Sequence, residues 1–88
     1  MYHEQFALLD KKFYTEKIKD EIDDIVKQMH QNSEDAKQIT RTIKSSPYLS
    51  PETVDIMEKY RQKLRNKNTT LLRRFRLLEN DLKDIQSR

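Results

Sequence analysis

KSSPYLSPET, residues Lys44–Thr53, decides how this chain folds. It holds both prolines and three serines of an 88-residue sequence that has no glycine at all, so it is the one strong interruption available. Ser50 is a good helix N-cap, and Pro51 suits the first helical position, where its missing N–H would have no intrahelical partner. Glu52 then complements the helix dipole. Outward in both directions, apolar residues recur at steps of three and four, the spacing of an amphipathic helix. The sequence therefore predicts an all-α chain in one coiled-coil module: a helix over 2–44, a turn over 45–50 and a helix over 51–87. The expected architecture is an antiparallel helical hairpin, a coiled coil that joins a three- or four-helix bundle with partner chains.

The second helix has a strict heptad. Its a positions are Val54, Arg61, Asn68, Phe75 and Leu82; its d positions are Met57, Leu64, Leu71, Leu78 and Ile85. The first helix runs Tyr2, Phe6, Leu9, Phe13, then Tyr14, Ile18, Ile22, Ile25, Met29, Ala36, Ile39 and Ile43. The step from Phe13 to Ile18 breaks the count and predicts an irregularity near 14–17. Ser33 followed by Glu34 and Asp35 reads as an N-cap signal, but the apolar phase persists across it and favours one continuous helix. Folding back at Tyr48 sets Ile43 opposite Val54, Ala36 opposite Arg61, Met29 opposite Asn68, Ile25 opposite Leu72 and Ile22 opposite Phe75. The same register lays Asp20, Glu21, Asp23 and Asp24 beside Arg73, Arg74 and Arg76, so apolar and charge patterns agree on one alignment.

Composition bounds the function. Of the residues, 38% are charged and 34% hydrophobic. No apolar run approaches the roughly 20 residues that span a bilayer. A soluble, intracellular chain without membrane insertion is expected, cytoplasmic or nuclear. The absence of cysteine removes disulfides, thiol nucleophiles and Cys-based zinc sites. His3 and His30 lack metal-ligand spacing, and without glycine the usual phosphate loops cannot form. No catalytic, cofactor-binding or metal residues are expected, and the chain does not read as an enzyme. Ser46 and Ser50 stand in Ser-Pro pairs, which makes them candidate phosphorylation sites; shaping the turn and capping the helix is the simpler role for both.

Net charge is +3, and it is uneven. Between Lys59 and Arg76 the second helix carries eight Lys or Arg and no acid. A basic nucleic-acid-binding module is thus the alternative, but part of that tract is matched by the chain's own acids, and a zipper-type DNA reader would need a long dimer seam after its basic helix. Nucleic acid is the disfavoured partner.

Two helices cannot cover every apolar side chain here. Leu8, Val26, Ile56, Tyr60, Leu72 and Leu77 lie off the stripes, and Tyr2, Phe6 and Leu9 overhang the end of the second helix. The expected partner-binding set is Tyr2, Phe6, Leu9, Ile56, Tyr60, Leu64, Asn68, Leu71, Leu72, Phe75, Leu77, Leu78, Leu82 and Ile85, contacting helical protein partners or other copies of the chain as a self-associating adaptor. Arg61 can run its stem along the stripe with its guanidinium in water. Asn68 is too short to escape and must find a hydrogen bond across the seam, as a specificity device, unless it sits at a wet edge.

IMEKYRQKLRNKNTTLLRRFRLLE, residues 56–79, with its Lys-Tyr, Lys-Leu and leucine-rich basic run, resembles the coiled-coil segments of the central-channel nucleoporins. The resemblance covers about a quarter of the chain and implies a scaffold subunit of the nuclear pore at the nuclear envelope, its a and d residues meeting partner helices. Those proteins also carry Phe-Gly repeats, which this sequence lacks.

Overall fold

Ser46 precedes Pro47, and the residue before a proline is pushed out of the helical region. The first helix, α1, accordingly ends one residue earlier and spans Tyr2–Ser45. The computed structural model describes the backbone of residues 2–87 and the side chains of residues 10–87. Leu49 N–H donates to Ser46 O at 3.3 Å, closing a four-residue turn with Pro47 at its second position, where a fixed φ is favourable. Ser50, also before a proline, is extended at φ −64° and ψ 151°. Its Oγ accepts from Thr53 N–H at 3.1 Å, which caps the second helix, α2, over Pro51–Gln86. Tyr48 stands at the tip of the turn, 98% exposed.

The two helices run antiparallel and pack along their length. All ten a and d positions of α2 are buried or half-buried, whereas nearly every other α2 residue is exposed, Leu72 and Glu79 at the flank being half-buried. On α1 the covered row is Lys11, Thr15, Ile18, Ile22, Ile25, Met29, Asn32, Ala36, Ile39 and Ile43, alternating steps of four and three without a break. This corrects the expected irregularity. α1 is one uninterrupted helix through 14–17 and through Asn32–Ser33, and the seam continues on Thr15 and Lys11 while Phe13 and Tyr14 lie outside it. The buried apolar residues among those described are Ile25, Leu64 and Leu78, at 5%, 2% and 7% exposure.

The result is a rod of 72 × 15 × 15 Å with a radius of gyration of 20.1 Å, against about 12 Å for a compact chain of this length. It exposes 7478 Å², where a compact monomer of its mass exposes about 5,500 Å².

Candidate partner-binding surface

Residues 66–70, Asn-Lys-Asn-Thr-Thr, are the weakest helix formers of α2. Thr69 and Thr70 donate their hydroxyls to the carbonyls of Arg65 and Asn66, and Gln62 Nε2 donates to Asn66 Oδ1. Asn68 instead points across the seam. Its Oδ1 accepts from Asn32 Nδ2 at 3.0 Å, and its Nδ2 donates to Met29 O and to Ser33 Oγ, both at 3.1 Å. Asn68 therefore has partners for both ends of its amide in the half-buried seam. One heptad nearer the turn, Arg61 Nη1 donates to Thr40 Oγ1 at 3.0 Å, and Thr40 Oγ1 in turn donates to Ala36 O at 3.1 Å. Arg61 is thereby bonded to α1, beyond merely lying along it.

The expected partner-binding residues separate into three groups. Leu64 and Leu78 are buried against α1, and Asn68, Leu71, Phe75, Leu82 and Ile85 are half-buried in the same seam. These side chains serve the hairpin itself. Leu72 is half-buried at the seam's flank. Ile56, Tyr60 and Leu77 face solvent at 68%, 50% and 62% exposure. Tyr2, Phe6 and Leu9 lie outside the described side chains. Of the two candidate phosphorylation sites, Ser50 is exposed and Ser46 is half-buried.

Exposed apolar residues that the partner-binding expectation did not include add to this surface. Phe13 and Tyr14 contact edge to face at 5.6 Å, and Lys17 Nζ sits 4.9 Å from the Phe13 ring centre. A heptad drawn backward from Ile18 through Thr15 would have placed both rings off the seam. Asn32 could likewise have been paired with Asn68 from its place in the same three-four row of α1.

The basic tract does not form a single stripe. Arg61 bonds Thr40 in the seam, Lys59 pairs with Asp55 on its own helix at 2.9 Å, and Arg74 pairs with Glu21 at 3.1 Å. Among the described residues, Glu21–Arg74 is the one ion pair that joins the helices. Lys63 and Lys67 share one flank of α2, Arg65 and Arg76 lie on the other, and Arg73 is on the outer face, as their heptad positions require. No group of three or more His, Cys, Asp or Glu among the described residues could hold a metal ion, and no described helix is long and apolar enough to cross a membrane. No protein-family model matches the chain, and neither a curated protein nor a solved structure matches it significantly.

Proposed function

We propose that the chain is a non-enzymatic structural subunit whose hairpin docks with partner helices in a larger protein assembly. One observation carries this reading: among the described residues, seven large hydrophobic side chains, including Ile56, Tyr60 and Leu77, are about half exposed or more, while three are buried. Scattered exposed apolar residues are ordinary on a large protein, but here those described outnumber the buried ones of a thin rod, whose geometry offers no second layer to cover them. The scattering of basic residues around α2 favours this over nucleic-acid binding, which would be served by a continuous cationic face. The finer placement, within a nuclear-pore assembly, rests on the resemblance of residues 56–79.

A photo-reactive amino acid placed in turn at Ile56, Leu77, Asp55 and Asn80 in cells tests the reading. Discrete protein adducts are expected from Ile56 and Leu77, and not from the two polar positions. Equal yields from all four, or adducts with nucleic acid alone, would reject it.

A further inference from the structure

A groove runs between the helices on one side of the Asn32–Asn68 layer. From α1 it is lined by Gln28 and Gln31, from α2 by Tyr60, Lys63, Lys67 and Thr70. Ile56, Lys63, Thr70 and Leu77 follow one another at seven-residue intervals, so they form a single row along the same side of α2. Ile56 and Leu77 end that row about 30 Å apart. Tyr60 stands one turn after Ile56, and Lys67 one turn after Lys63. The row is thus apolar at both ends and cationic in the middle. No carboxylate pairs with Lys63 or Lys67 among the described residues.

This pattern selects its occupant. A second copy docked by a two-fold axis, with Ile56 of each chain on Leu77 of the other, would centre on residues 66–67. The Lys63 and Lys67 side chains of both copies would then meet in one short stretch, and like charges brought together at an interface oppose association. Nucleic acid would neutralise the lysines but leave Ile56 and Leu77 against phosphate and water. A helix with apolar side chains three heptads apart and carboxylates between them satisfies both features at once.

We propose that this groove and row receive an acidic amphipathic helix from a different protein, its apolar residues on Ile56, Tyr60 and Leu77 and its Glu or Asp facing Lys63 and Lys67. The inference deepens the assembly reading and rests on it. Hydrophobic burial supplies affinity, while the lysines set orientation and choice of partner.

The test uses the full chain and three fluorescent probes: a designed four-heptad helix with a leucine stripe flanked by glutamates in its middle heptads, the same helix with lysines in their place, and a single-stranded DNA of matching charge. Anisotropy is expected to show the glutamate helix bound at least tenfold more tightly than the lysine helix. Lys63→Glu with Lys67→Glu should reverse that order. Ile56→Ser with Leu77→Ser should weaken the glutamate helix at least tenfold with no loss of helical circular dichroism. Unchanged affinity in the Lys63→Glu, Lys67→Glu variant overturns the proposal. So does preferential, salt-sensitive binding of the DNA, or a dimer by sedimentation that Ile56→Ser and Leu77→Ser dissociate. Equal binding of both designed helices removes this inference and leaves the assembly reading standing; binding of neither, with the chain monomeric, removes both.

Discussion

Replacing Asn32 and Asn68 by leucine, singly and together, measures what the polar layer contributes to the hairpin. Asn68→Leu alone removes three hydrogen bonds and leaves the Asn32 amide in a half-buried site without its acceptor. An unsatisfied polar group of this kind costs about 1–3 kcal/mol when buried and less where water reaches it. A leucine in the same half-buried position gains back about 1 kcal/mol, half of what full burial provides. Each single variant should therefore lie within about 1 kcal/mol of the parent. The double variant strands no amide and gains two leucines, so it should be more stable by about 2 kcal/mol, raising Tm by about 10 °C. Urea unfolding followed by circular dichroism gives all four corners of the cycle, with an expected coupling of about 1–2 kcal/mol. Stability should rise while register loosens. A slip of one heptad would otherwise set Asn68 beside Ile22 and Ile25, or beside Ala36 and Ile39, away from the Asn32 amide in either case. If Asn68→Leu alone stabilises as much as the pair, Asn32 is not the energetic partner of Asn68 and the reasoning fails.

Leu64→Ala should be among the most damaging single truncations, at about 3 kcal/mol, because its 2% exposure leaves a cavity in a seam with no second layer to collapse into it. Ile56→Ala, at 68% exposure, should stay within about 0.5 kcal/mol in the isolated chain, and chemical denaturation compares the two. Ser50→Ala removes the acceptor for Thr53 N–H and should lower stability by about 1 kcal/mol, with hydrogen exchange accelerating first in the opening turn of α2. Glu21→Gln should change stability by less than about 1 kcal/mol, and by less still in high salt, because both partners of the Glu21–Arg74 pair are more than half exposed.

The course of α2 was legible because its seam is written in apolar residues. Met57, Leu64, Leu71, Leu78 and Ile85 leave one phase, and Ser50-Pro51 fixes where it starts. The same logic misread the beginning of α1. There the seam passes through Thr15 and Lys11, which a hydropathy pattern does not register, while the large rings of Phe13 and Tyr14 draw the eye to a face that stays open. Ser33 has the chemistry of a cap, but mid-helix its hydroxyl accepts from Asn68 instead. Complementary charge pointed to the correct alignment and overstated the bonding. Asp20, Glu21, Asp23 and Asp24 do not share one face of α1, and among the described residues only Glu21 meets an arginine across the helices.

The seam lock and the outer face are connected through the register they share. Gln28 and Gln31 line the groove opposite Lys63 and Lys67 only because Asn68 is held at Asn32, Met29 and Ser33. Moving α1 by one heptad in one direction would exchange those glutamines for Glu21 and Asp24, which would place two carboxylates within reach of the groove lysines. The hairpin would then satisfy its own cations, and the row between Ile56 and Leu77 would lose the charge that distinguishes an acidic helix from any other apolar one. Apolar packing alone resists such a slip weakly, since most d positions of α2 would find another Ile, Met, Ala or Thr from the covered row of α1 in their path. A half-buried amide with a specific partner on each side resists it strongly, at the expense of about the stability that two leucines would add. In this fold, then, the polar layer that weakens the seam is what keeps neutral glutamines opposite Lys63 and Lys67 and leaves those lysines free for a partner.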